Sequence, residues 1–312
     1  MKWLYPITDY GEGLPIKISL IRFNDLVVSW HNEFEVLIVL SGSINIMVED
    51  TVFILKEDSI MFINSNDLHR INSITEDSMV LVMKIDREYY SRYYLCNDKL
   101  ILNYKALLES ENNKELFKII KYYISKIIKN IFEKNKGYRL LVGSEINLLI
   151  HYMINNYEDY FITDGDYKED NKDGARLKRI IKYILNDGLS LNDIAIKEDL
   201  SIYYVSHFIK KKLGVSFQEI VNIIRMDRGI GLLIKTDKSI TTVALESGFP
   251  SLKAFNRKFK SIYGYSPSEF RKRETKEIIN KKANLQLGSS QEQINYLHNK
   301  LDLFIREGKE YI

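Results

Sequence analysis

Two groups of side chains in this 312-residue chain have the types and spacing to do chemistry. The first is Lys253, Asn256, Arg257 and Lys260, spaced so that one face of a helix would present all four. An exposed arginine matches the two acceptors of guanine, an asparagine amide matches adenine, and lysine suits guanine or phosphate. Tyr203, Ser206, His207 and Lys210 repeat that spacing 50 residues earlier, with Lys211 beside them. These residues could equally be an ordinary solvated face. The second group is His31, Glu35 and His69. Two imidazoles and a carboxylate can bind a transition metal with open positions, or hydrogen-bond a polar small molecule. Trp30 beside them offers an aromatic face.

The first group is positioned by an internal repeat. Leu191-Asn-Asp-Ile-Ala195 is echoed by Ile240-Thr-Thr-Val-Ala244, and Gly214-Val-Ser216 by Gly264-Tyr-Ser266, at offsets of 49 and 50 residues. The extra residue falls where Asp199-Leu-Ser201 becomes Gly248-Phe-Pro-Ser251. Each copy has the parts of a helix-turn-helix. Ser190 and Ser239 are placed to cap a first helix, and Ser201 and Ser251 a second. Ala195 and Ala244 let two helices cross closely, and Gly248 suits the sharp turn. Val205, Phe208, Ile209, Phe255 and Phe259 form the side to be buried. Ser216 with Glu219, and Ser266-Pro267 with Glu269, have capping-box spacing for a further helix in each copy.

Residues 176–273 resemble the AraC/XylS family of bacterial regulators, through the strings LSLNDIA, DLSIYYVSHFIKKKLGVSFQEIVNIIRMDRGIGLLI, SITTVALESGF and SLKAFNRKFKSIYGYSPSEFRK. The resemblance implies two helix-turn-helix units joined by a rigid helix at about 216–235. Both reader helices would then enter the major groove about 34 Å apart, one turn of duplex. By position it assigns base contact to Tyr203, Ser206, His207, Lys253, Asn256 and Arg257. Lys210, Lys211, Lys260 and the helix starts at Ser201 and Ser251 suit phosphates. One departure is Gly229-Ile-Gly231, where the family usually has alanine. Each glycine costs a helix interior about 1 kcal/mol relative to alanine, which puts the rigidity of the connecting helix in doubt.

Residues 16–85 alternate short apolar runs, at 16–23, 36–40, 44–48, 52–55, 60–63 and 79–85, with turn signals such as Ser41-Gly42-Ser43. That pattern predicts an antiparallel barrel or sandwich. His31-Asn-Glu-Phe-Glu35 and Asn66-Asp-Leu-His69 resemble the two motifs of cupin barrels, with Ser29 where the first metal-binding histidine would be. Three readings of His31, Glu35 and His69 stay open: a small-molecule sensor pocket that also uses Trp30, a metal site, or hydrogen-bonded barrel residues. The AraC resemblance favours an effector pocket, with sugars a common class of ligand. No metal and no cofactor are expected.

The segment from Gly174 to Arg273 carries 19 Lys+Arg and 9 Asp+Glu, a net +10, which leaves −7 on the rest of a chain whose total is +3. A basic segment of this kind suits a polyanion. Hydrophobic residues at 45% and charged residues at 28% are normal for a globular protein. The single cysteine, Cys96, excludes a disulfide framework and an all-cysteine zinc site. Neither a signal peptide nor a membrane-length apolar run is apparent, so a cytoplasmic protein is expected. Residues 116–131 and 140–160 read as amphipathic helices able to pack on the barrel or on a second chain.

The expected class is therefore α+β. Residues 1–98 form a cupin-like effector barrel, 99–162 a helical packing or dimerisation region, and 163–174 a linker. An all-α tandem helix-turn-helix domain follows at 175–273, then a tail at 274–312 without an assigned role. The expected function is a transcription regulator, not an enzyme, binding double-stranded DNA and a small molecule, as a homodimer. It would meet RNA polymerase if it activates. The alternatives are a metal-dependent cupin enzyme with a DNA-binding appendage, a DNA-repair protein sharing the helical module, and one part of a longer fusion.

Overall fold

The computed structural model describes residues 14–23, 27–31, 33–48, 51–65, 67–76, 78–86, 89, 101–102, 113–156, 161–162, 172–184, 188–272 and 291–312. Cys96 and residues 163–171 lie outside this set. Eight strands form the N-terminal body: β1 (Ile16–Phe23), β2 (Val27–Ser29), β3 (Phe34–Ser41), β4 (Ser43–Val48), β5 (Thr51–Lys56), β6 (Ile60–Ile63), β7 (His69–Ser73) and β8 (Ser78–Ile85). They make two antiparallel sheets with strand orders β1-β8-β3-β6 and β2-β7-β4-β5. Leu37, Val39, Val80 and Val82 of the first sheet meet Ile44, Ile46, Phe53 and Ile71 of the second in one interior core. Gly42, at φ +79°, makes the turn read at Ser41-Gly42-Ser43, and a Cβ there would strike the Thr75 and Ser78 hydroxyls.

The first sheet is covered on its other face too. This explains why β8 reads Ser-Met-Val-Leu-Val-Met-Lys-Ile without alternation and is buried throughout. The cover is α1 (Asn113–Glu133) and α2 (Tyr138–Asn156). The predicted stripe of α1, including Ile120, Ile124, Ile127 and Ile128, is spent entirely inside this core. The region 99–162 is not wholly helical. Two-residue strands β9 (Ile101–Leu102) and β10 (Phe161–Ile162) pair across it.

The tail has a structural place that its sequence left unassigned. Helix α9 (Gln291–Gly308) packs on α1 as a third covering helix and buries Leu297, Leu301 and Phe304 completely. The Tyr296 hydroxyl donates to the Leu40 carbonyl at 2.8 Å, and Lys300 pairs with Glu57 at 2.6 Å and Asp58 at 3.1 Å. Gly308 lies under Tyr122 and the Lys118 carbonyl, where a Cβ would be 2.5 and 2.7 Å from the nearest atoms. The chain thus leaves the N-terminal body and returns to it after the helical domain.

That domain begins earlier than expected. Helix α3 (Lys172–Lys182) starts inside the segment read as linker. Its Arg179 holds Glu198 through two bonds of 2.9 and 2.8 Å. The repeat follows as α4 (Leu191–Lys197) and α5 (Ile202–Leu213), the connecting helix α6 (Phe217–Lys235), then α7 (Ile240–Glu246) and α8 (Leu252–Tyr263). Residues 267–272 are helical again. Ser190, Ser201, Ser216, Ser239 and Ser251 all cap as read, and Ser216–Glu219 closes a reciprocal box. Asp199 at φ +54° and Gly248 at φ +88° make the same left-handed turn. The connecting helix is continuous despite Gly229 and Gly231. Gly229 has a packing reason, since a Cβ there would be 2.9 Å from the Phe255 ring.

Deleting a fully buried aromatic costs about 3–5 kcal/mol. Phe304→Ala should therefore destabilise the N-terminal body by that amount in urea unfolding. A change within about 0.5 kcal/mol, the usual range for surface sites, would show that α9 does not complete its core.

Candidate functional site

The two reader helices, α5 and α8, are amphipathic because their apolar residues recur at helical spacing. Val205, Phe208 and Ile209 point into one core, Phe255 and Phe259 into another. Tyr203, His207, Lys210, Lys211, Lys253, Arg257 and Lys260 are exposed, while Ser206 and Asn256 are partly covered. Tyr203 is 80% exposed and its ring stacks with that of His207, centroids 6.1 Å apart. Asn256 Oδ1 is shielded from water and accepts no hydrogen bond. The Ser201 and Ser251 hydroxyl oxygens accept from Tyr204 N at 3.1 Å and Ala254 N at 3.2 Å. Their protons remain available to a phosphate. The fold thus gathers each predicted set on one helix face.

In the barrel, His31, Glu35 and His69 come together, each almost fully buried. Glu35 Oε2 lies 2.6 Å from His31 Nε2 and 3.2 Å from His69 Nε2, the second contact lacking hydrogen-bond geometry. The other nitrogen of each ring faces a backbone carbonyl, Glu33 O at 3.2 Å and Asp67 O at 3.0 Å. Donation of Nδ1–H to those carbonyls turns both Nε2 lone pairs toward the carboxylate. Such a convergence requires positive charge, either a proton on the His31–Glu35 line or a bound cation. The three residues could hold a divalent transition ion in a two-histidine, one-carboxylate set.

Three further residues, missed in the sequence, complete this polar end. Lys84 is buried and is the register partner of Glu35 in β8. Lys17 pairs with Glu33 at 2.9 Å. Burial would raise the Glu35 carboxyl, but the Lys84 ammonium and then the two histidines outweigh it and hold it well below the usual range. Burial likewise opposes ionisation of Glu33, yet Lys17, His31 and Lys84 bring it to about 2. His31 is lowered by burial and by Lys84. Lys84 therefore already supplies the positive charge that a metal would supply, and its repulsion disfavours a divalent ion. A lone lysine inside the apolar run of β8 was the signal available in the sequence.

Trp30 requires a correction, because it does not line this polar end. With His31 turned inward, its neighbour turns out. Trp30, Val28 and Leu68 belong instead to one apolar cluster with Leu177, Ile180 and Phe208 of the first helix-turn-helix unit and the helix before it. In the β2–β7 ladder Ser29 pairs with His69 and Val28 with Arg70. The Arg70 guanidinium abuts Gly214, the left-handed C-cap of α5. His31 and His69 are thus each one residue from a side chain, Trp30 or Leu68, seated on the helical domain.

Residues 194–273 match a family model for a helix-turn-helix domain, and residues 27–114 match one for the AraC-like ligand binding domain. An HTH-type transcriptional regulator from Staphylococcus aureus is 24% identical over 253 residues, 80% of this chain and 32% of the relative. The Msm operon regulatory protein of Streptococcus mutans is 36% identical over 97 residues, 31% of this chain and 35% of its own. The chain spans about a third of the length of these curated relatives. Among solved structures, ToxT from Vibrio cholerae is similar over 84% of this chain and 98% of its own, at 18% identity and a TM-score of 0.42. Among the described residues no helix is long and apolar enough to cross a membrane. The chain thus joins a domain matching the AraC-like ligand binding model, on the barrel, to one matching the helix-turn-helix model, on the tandem units behind it.

Proposed function

We propose that this protein binds specific duplex DNA through α5 and α8, and that a small polar molecule at the polar end of the barrel controls that binding. The observation that carries this reading is the strand alternation at Trp30-His31 and Leu68-His69. It puts donors and acceptors on the inside and anchors in the DNA-reading domain on the outside. A ligand that moves either histidine moves an anchor, and differential affinity for two arrangements shifts their populations. The imidazoles and carboxylates suit a hydroxyl-rich ligand such as a sugar. The aromatic face that strengthened the sugar reading is turned away, so the effector class rests on the polar groups alone. The second reading, a metal in this cluster, is favoured by the converging lone pairs and opposed by Lys84.

We further propose that α2 carries the contact between two copies. Its inner residues Val142, Ile146 and Leu149 are buried, yet Leu140, Leu141 and Leu148 are 80%, 50% and 47% exposed. An apolar face of this kind on a regulator marks an interface.

Gel retardation with duplexes from around its own gene should show specific, salt-sensitive binding; its absence would remove the proposal. The second unit carries the stronger base readers. Arg257→Ala should cost about 1–3 kcal/mol of discrimination at one base pair, and His207→Ala less. Equal losses in anisotropy titrations would contradict that asymmetry. In sedimentation at micromolar concentration the chain should be a dimer, and Leu141→Asp with Leu148→Asp a monomer. A monomeric wild type would refute the α2 contact.

A further inference from the structure

The DNA-reading domain contains a cleft of about 500 Å³ between the first half of α6 and the flank of α8. Gln218, Asn222 and Arg225 line one wall, at the spacing of a single helix face, and Arg257, Lys258 and Ser261 line the other. Phe249, Pro250 and Ala254 form an apolar floor, around which the lining brings three cations and two side-chain amides together and includes no carboxylate. The nearby Glu219 accepts from the Ser216 N–H at 2.8 Å and the Ser216 hydroxyl at 2.9 Å in its capping box, and the Lys258 charge also acts on it. The Ser261 hydroxyl donates to the Lys258 carbonyl. Gln218 donates weakly to Asn222 Oδ1 at 3.4 Å, which leaves the Asn222 amide protons pointing to other acceptors.

Arg225 is the informative residue. It stands on the helix that joins the two units and belongs to neither predicted reader set. Its guanidinium is partly covered, and it is packed close enough to the turn of the second unit that a Cβ on Gly248 would be 3.3 Å from its Nε. Burial and then the neighbouring Arg228 disfavour its charge. A guanidinium in such surroundings is stabilised by an anion with several oxygens, and a fork of N–H donors fits phosphate best. Arg257 belongs both to this cleft and to the predicted reader face of α8, so the cleft borders that face.

We infer that this cleft is a phosphodiester site, in which Arg225, Asn222 and Lys258 grip the duplex backbone while Arg257 reaches the bases beside it. The inference rests on the DNA-binding reading above and adds to it a third contact, from the connecting helix. It gives a role to Arg225 of α6, and it would fix the register of the second reader on its groove.

The test uses the full chain and fluorescence anisotropy, on a specific duplex and on a scrambled one, over a series of salt concentrations. Arg225→Ala should weaken both duplexes by the same factor, about tenfold near 0.1 M salt, and lower the salt slope by about one. The ratio between the duplexes should stay unchanged, whereas Arg257→Ala should reduce it. Asn222→Asp, which leaves the core untouched, should weaken both duplexes by placing a carboxylate in the cleft. A parallel titration with inorganic phosphate, against chloride at equal ionic strength, separates backbone phosphate from a free anion. No phosphate-specific displacement is expected. Unchanged affinity and slope in both variants, with wild-type binding intact, would overturn the cleft assignment alone. So would inorganic phosphate binding that Arg225→Ala abolishes without affecting the duplex. No duplex binding by the wild type would remove the DNA-binding reading and this site with it.

Discussion

Successive side chains on a β-strand face opposite sides of the sheet, and the arrangement of this molecule depends on that rule at β2 and β7. Both strands pass between the barrel interior and the first helix-turn-helix unit. His31 and His69 face the interior, and Trp30 and Leu68 face the helices. A shift of one residue in register would exchange the two sets, burying tryptophan among charges and setting histidine in an apolar core. The register is held by the pairing of Ser29 with His69 and Val28 with Arg70, and by the cost of any such exchange. The polar interior groups and the anchoring groups are consequently neighbours along the chain.

The interior cluster meets the requirement that buried charge be compensated. Lys17 pairs with Glu33, both imidazoles meet Glu35, and Lys84 stands at the register position opposite Glu35. Such a network is rigid when every member is satisfied. Here it is not fully satisfied, since His69 Nε2 lacks a hydrogen bond. Under the proposed reading, a neutral polar ligand supplies the missing partner. A second positive charge gains least there, because Lys84 already faces Glu35.

The DNA-reading domain was legible in the sequence almost residue by residue, because its determinants are local. A serine hydroxyl accepting from the N–H three residues on, a glycine or aspartate at a left-handed turn and an apolar face at helical spacing each act within one or two turns of helix. The apolar barrel strands were legible for the same reason, but β2 and β7 lie outside the apolar runs, and the grouping of His31, Glu35 and His69 came from the cupin resemblance. What escaped depends on contacts distant in the chain. Helix α9 shows only Leu297, Leu301 and Phe304 as a stripe, and its partner α1 lies more than 150 residues earlier. The outward turn of Trp30 depends on which face of β2 meets the helices, and no local pattern encodes that. Lys84 was hidden by the apolar run around it, in which both faces of the sheet are covered.

The central claim is that the barrel cluster and the DNA-reading domain are coupled through Trp30. A double-mutant cycle on operator affinity tests it without knowledge of the effector. Glu35→Gln, Trp30→Ala and the double variant would be compared with wild type, each confirmed as folded by thermal melting. Direct coupling predicts that Glu35→Gln changes affinity in the wild-type background and much less once Trp30 is gone, with an interaction energy of about 1–3 kcal/mol. Additive effects, within about 0.5 kcal/mol, would mean that the cluster and the anchor act independently, and would contradict the claim.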